Sequence, residues 1–231
     1  MSAPERPSAL PDPGSTPRTR VRRVPEKEVR DREVAYRILD AGLMAHVAAV
    51  TDGQPFVLPV AYARMGDSVV FHGSTASRLF KTLAGGQQTC LTVTLLDGLV
   101  LARSLFESSM NYRTVMAIGT CEVLEGDAEV DALKRISDHL LPGRWDEARQ
   151  PAPQELKATL TLRLPLDEIS VKVSDKHPED VPEDLVDPVY SRIWAGRVPI
   201  TETFGEPEAD ELAQGVPVPA YVRTWQRPAS Q

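Results

Sequence analysis

Between residues 45 and 174 short apolar runs alternate with turn residues, and the runs are rich in Val, Leu and Thr, which is how an antiparallel all-β unit is written in sequence. Residues 45–51 predict a first strand, Asp52-Gly53-Gln54 a tight turn, residues 55–65 a second strand, Gly66-Asp67 another turn and residues 68–73 a third strand, so the unit opens as a meander. A short helix over residues 77–84, closed by Gly85-Gly86, leads to a strand over residues 89–96. Asp97-Gly98 then signals a hairpin into residues 99–104, and residues 113–124 read as a sixth strand. Residues 159–166 and 169–174 look like closing strands.

Helical spacing brackets this region. Over residues 26–41, Pro25 stands at the start, Glu26 and Glu28 suit the N-terminal dipole, Val29, Ala35, Ile38 and Leu39 line one face, and Gly42 ends the run. Over residues 127–141, Val130, Leu133, Ile136 and Leu140 form a stripe that Pro142-Gly143 stops. The expected fold is therefore mainly β, a six- or seven-stranded antiparallel barrel with two or three peripheral helices. Residues 1–25 hold Pro, Ser, Thr and Arg with little to bury and read as a disordered leader; residues 26–175 form the barrel domain. Residues 176–231 read as an irregular, Pro-rich arm packing on the barrel or on a dimer partner, with Ile193, Trp194, Phe204 and Trp225 as its anchors.

Composition narrows the function classes. The 231 residues are 42% hydrophobic and 26% charged, an ordinary globular balance, and a net charge of -7 argues against a protein whose whole surface binds nucleic acid. The charge is uneven: residues 1–30 carry seven basic against four acidic side chains, and residues 176–231 carry five basic against ten acidic. Cys90 and Cys121 fit no Cys-x-x-Cys pattern and read as buried thiols in a reducing compartment. No run approaches the ~18 apolar residues of a membrane span and no export signal stands out, so the expected location is the cytoplasm.

The most informative stretch is residues 71–81, where a strand runs through His72 and Gly73 into Ser74, Thr75 and Ser77 and then directly into a helix. Free N–H groups, hydroxyls and the pair Arg78 and Lys81 can close on a phosphate there; the same spacing also fits an N-cap by Ser77 with two solvated cations. His72, at the strand end, can hydrogen-bond a ligand, donate a proton, ligate a metal or serve the fold alone. The other histidines have no helical metal spacing. Before the sixth strand, Tyr112 and Arg113 can meet a planar ring or a phosphate, or simply close a turn.

Taken together, these residues resemble the pyridoxamine 5'-phosphate oxidase-like flavin-binding split barrels, and among them the nitroimidazole-resistance type. The likeness spans residues 34–205 and rests on Ala45-His46-Val47-Ala48, Asp52-Gly53-Gln54-Pro55, Phe71-His72-Gly73-Ser74 with Ser77-Arg78-Leu79-Phe80-Lys81, Asp97-Gly98-Leu99, Asn111-Tyr112-Arg113, Leu141-Pro142-Gly143-Arg144 and Ile193-Trp194-Ala195-Gly196. The resemblance implies a homodimer with FMN at the subunit interface, the phosphate near Ser77, Arg78 and Lys81, and the flavin ring along Pro59, Val60, Ala61 and Tyr62. It places His72, Gly73, Ser74, Tyr112, Arg113 and Trp194 around the pocket. The implied activity is a flavin-dependent reduction of a small planar acceptor, nitroaromatic or quinone-like, with His72 orienting or protonating it and NAD(P)H or a reductase as donor. Members that hold heme or F420 keep other options open: a non-catalytic flavin binder, an F420 protein, or a heme protein with His72 as axial ligand.

Overall fold

In the computed structural model, which describes residues 10–226, the first helix starts later than the apolar pattern predicts. Asp31 accepts the Glu33 N–H at 2.9 Å and caps α1, Arg32–Ala41. Upstream, Val29 N–H donates to Val171 O at 3.0 Å and Glu28 bridges to Lys172, so these residues run extended beside the last barrel strand, after a 3-10 turn at Pro25–Lys27.

The meander is present as β1 (Met44–Thr51), β2 (Gln54–Arg64) and β3 (Ser68–Ser74). Asp52 and Gly53 both take positive φ, the left-handed geometry that a two-residue hairpin needs to match strand twist. Next come α2 (Arg78–Ala84) and β4 (Gln88–Leu101). The hairpin expected at Asp97-Gly98 does not form: β4 passes straight through with a register shift between Leu96 and Gly98. A Cβ at position 98 would lie 2.7 Å from Val198 O, so this glycine admits a late strand instead of making a turn. The predicted sixth strand divides at Cys121 into β5 (Ser109–Thr120) and β6 (Glu122–Leu124). Then follow α3 (Asp127–Leu140), α4 (Arg144–Glu147), α5 (Pro153–Lys157), β7 (Thr159–Pro165), β8 (Glu168–Ser174), α6 (Pro182–Val186), β9 (Gly196–Pro199) and α7 (Ala220–Arg223).

Among the described residues nine strands form one antiparallel sheet in the order β6-β7-β3-β2-β1-β4-β5-β8, with β9 added to β4. This is the split barrel, larger than the six or seven strands expected by the short β6 and the late β9. Its inner face buries Val47, Tyr62, Phe71, Leu91, Val115 and Leu162 against Ile38 and Leu39 of α1. A smaller core lies on the other side of the sheet, where α3 places Ala132 and Ile136 on Ala63 and Val70.

Residues 1–9 of the leader lie outside the described residues, but from residue 10 onward the leader is seated on the barrel rather than loose. Gly14 N–H donates to Ile169 O at 2.8 Å, Arg18 Nε to Glu168 Oε2 at 2.8 Å and Val21 N–H to Glu28 Oε1 at 2.9 Å, and Thr19 is buried. The arm is mostly irregular; Phe204 and Trp225 meet each other edge to face at 4.2 Å within it, whereas Trp194 is 64% and Ile193 42% exposed. Among the described residues no helix is long and apolar enough to cross a membrane.

Candidate functional site

Strand alternation decides which of the candidate side chains can meet a ligand. Tyr62 pairs with Phe71, and both point into the core, where the Tyr62 hydroxyl donates to Leu39 O at 2.6 Å. Val60 pairs with buried Ala45 and packs on the same core. Of the stretch expected along a flavin ring, Tyr62 and Val60 are thus turned inward, and Pro59 and Ala61 face outward. His72, next to inward Phe71, shares that outer face and pairs with Thr161.

The outer face continues through register partners. Pro59 pairs with His46, His46 with Thr92, and Thr92 with Met116. Over β1, β2 and β4 it is open and largely apolar, with Met44 51%, Val57 55% and Leu96 45% exposed, whereas toward β3 it is covered by α3, on whose core Ala61 packs. His46, which spacing alone left scattered, therefore stands on the same face as His72. The usable signal was the period-two alternation of residues 45–48, which buries Ala45 and Val47 and turns His46 out. His72 keeps an exposed edge, yet surrounding protein lowers its pKa from the ordinary 6.5 by desolvation, which favours the neutral ring.

The strand-to-helix segment is built as a compact turn. Thr75 N–H donates to Ala158 O at 2.9 Å, Ser77 N–H to Ser74 O at 2.9 Å, and Ala76 N–H to the Ser74 hydroxyl at 3.1 Å. Ser77 is the α2 N-cap residue, but its side chain makes no cap hydrogen bond, so the hydroxyl is not spent on the helix. Arg78 lies over the Phe56 ring, its Cζ 4.5 Å from the centroid, and among the described residues neither Arg78 nor Lys81 has a carboxylate partner. Gly73 has a packing role: a Cβ there would meet the Phe80 ring at 2.2 Å.

The remaining candidates lie elsewhere in the single chain. Tyr112 is on β5, four strands along the sheet from β3; it pairs with Leu96 on the outer face and has Lys27 Nζ 5.8 Å from its ring centroid. Arg113 points to the opposite side, where Asp97 holds it by two hydrogen bonds of 2.9 and 2.6 Å. The Asp97 bulge that sequence reasoning took for a turn is thus what fixes Arg113. Trp194 leans on Gly196, next to the β9 pairing with β4. Among the described residues no cluster of His, Cys, Asp or Glu is arranged to hold a metal ion, and Cys121 is buried, its thiol pushed up to about 12 by burial.

Comparison with known proteins agrees with this architecture. The family model described as pyridoxamine 5'-phosphate oxidase matches residues 31–173. A protein from Mycobacterium smegmatis, described as an FAD and heme binding protein, is 42% identical, with a TM-score of 0.80 over 85% of this chain and 96% of its own. The flavocytochrome Anf3 from Azotobacter vinelandii is 38% identical, with a TM-score of 0.85 over 94% of this chain and 99% of its own. A protein from Bacteroides thetaiotaomicron, assigned provisionally to 5-nitroimidazole antibiotic resistance, shares the fold at 20% identity, with a TM-score of 0.53 over 63% of this chain and 86% of its own. No curated protein matches the chain.

Proposed function

Since the chain belongs to the pyridoxamine 5'-phosphate oxidase family, we propose that it is a homodimeric flavin- and heme-binding redox protein. The observation that carries this reading is the juxtaposition at the end of β3: Arg78 and Lys81, neither with a carboxylate partner among the described residues, follow within nine residues of an exposed His72 on the outer face. The pair of cations supplies what a flavin's phosphate or pyrophosphate needs, the flat face what a planar ring needs, and a neutral imidazole what a heme iron needs. The description of the M. smegmatis protein favours FAD over FMN, and that protein together with the A. vinelandii flavocytochrome adds the heme.

The residues of this chain would divide the work. Arg78 and Lys81 would hold the anionic tail, with Ser74 and Ser77 donating beside them; Pro59 would face the planar ring; His72 would ligate the heme. When bound, the flavin exchanges electrons in pairs or singly and the heme singly, which suits the protein to joining a two-electron donor such as NAD(P)H to a one-electron acceptor. The second copy would cover Met44, Val57 and Leu96 and bring its own Tyr112 and Trp194 toward the pocket.

The test is an absorption spectrum of the purified protein and the mass of the small molecules that heat releases. FAD together with heme is the expected result, with His72→Ala losing the heme bands and keeping the flavin. A flavin without heme in the unaltered protein would return the assignment to a flavin-only reductase of a small planar acceptor. A colourless protein that takes up neither overturns the reading. Arg78→Ala/Lys81→Ala should weaken flavin binding by about 1–3 kcal/mol, as loss of charge-assisted hydrogen bonds does, read by fluorescence titration.

A further inference from the structure

A second cleft, of about 360 Å³, opens between the leader, the start of β5 and the segment after β8, away from Arg78 and Lys81. Its leader wall runs through Val24, which holds a left-handed backbone, φ 57° and ψ 58°. That conformation is costly for a β-branched residue, more so before a proline, and it persists only where the surroundings hold it. The kink sets Arg23 and Lys27 along the same cleft. Among the described residues neither has a carboxylate partner. Lys176, which also lines the cleft, is paired with Glu179, its Nζ donating to Oε1 at 2.9 Å, and Glu179 and then Glu26 raise its pKa. Glu26 and Glu107 line the cleft without an ion pair among the described residues.

Phe106, 89% exposed, and Met110 supply apolar lining among polar neighbours, and buried Asn111 ties the start of β5 to the segment after β8 by donating to Lys176 O at 2.9 Å and accepting from Lys176 N–H at 3.1 Å. A cleft that carries an exposed aromatic and two cations without carboxylate partners is suited to a flat molecule with an anionic end.

We propose that this cleft binds a planar organic anion, its ring against Phe106 and Met110 and its phosphate or carboxylate on Arg23 and Lys27. In one chain the cleft is built apart from Arg78 and Lys81, though its Lys27 stands 5.8 Å from the centroid of the Tyr112 ring. The test is isothermal titration of the full-length, cofactor-loaded protein with AMP, with benzoate and with inorganic pyrophosphate. Saturable binding of AMP or benzoate, whichever is tighter naming the phosphate or the carboxylate class, is expected, with pyrophosphate weaker than the tighter of the two. Arg23→Ala/Lys27→Ala should weaken that binding at least tenfold and Phe106→Ala should weaken it too, while flavin absorbance stays at the level of the unaltered protein. Absence of saturable binding by all three probes at millimolar concentration, or equal affinity in the double variant, overturns the proposal. So does loss of flavin from the double variant, because the cleft would then be part of the flavin site.

Discussion

Gly73 and Tyr62 show how much of the pocket's shape is set by single atoms of the core. A methyl added at position 73 collides with the Phe80 ring, so Gly73→Ala should destabilise the protein by about 1–3 kcal/mol in denaturant unfolding, the cost of overpacking, before any ligand is considered. Tyr62→Phe should cost about 1–2 kcal/mol, because it leaves the buried Leu39 carbonyl without its donor, and should leave flavin content unchanged. His139 makes a pH prediction. Its Nε2–H donates to Gly42 O at 2.6 Å, and burial is the main cause that lowers its pKa from the ordinary 6.5. The unfolded chain therefore takes up the proton first, and stability is lost as pH falls below about 6.5 toward the depressed folded value. Thermal melts across that window should show the decline, and His139→Gln should flatten it.

At the scale of elements, the leader is the least expected part of the fold. Glu28 accepts the Val21 N–H and pairs with Arg30, and the first of these is the largest cause holding its carboxyl below the usual range. Glu28→Ala should lower stability by about 1 kcal/mol, or about 2–4 °C in melting temperature, and speed hydrogen exchange in residues 14–21. Local patterns could not have shown this. The apolar face of Ala35, Ile38 and Leu39 correctly announced α1, but nothing near Glu28 in sequence says that Val29 hydrogen-bonds to Val171, more than a hundred residues away. Asp97-Gly98 failed for the same reason: a turn and a bulge call for the same residues, and the strand that decides between them, β9, comes much later in the chain. By contrast the β1–β2–β3 meander was legible because its turns are local, and so was the strand-to-helix segment with Arg78 and Lys81. Which of Pro59, Val60, Ala61 and Tyr62 face outward depended on register, which the apolar run conceals.

For the whole molecule, the open outer face of β1, β2 and β4 is the chief apolar feature left without cover among the described residues of one chain. Met44, Val57 and Leu96 are each about half exposed on strands whose opposite side is core, and apolar sheet faces of this kind mark interaction surfaces. If a second copy covers them, sedimentation should report a dimer, and Met44→Asp/Val57→Asp should weaken it at least tenfold, about 1.4 kcal/mol, by burying charge without a partner. A chain that sediments as a monomer with full flavin content would overturn this.

Gly14 bonding to Ile169 means that a segment preceding every strand is seated on β8, which only the short β9 follows in the chain. On a ribosome the leader has nowhere to lie until β8 has emerged, so closure of the seam must follow synthesis of nearly the whole barrel, and contacts so distant in sequence form slowly. Until then the edge of β5, which β8 will cover, is open to any other strand in reach.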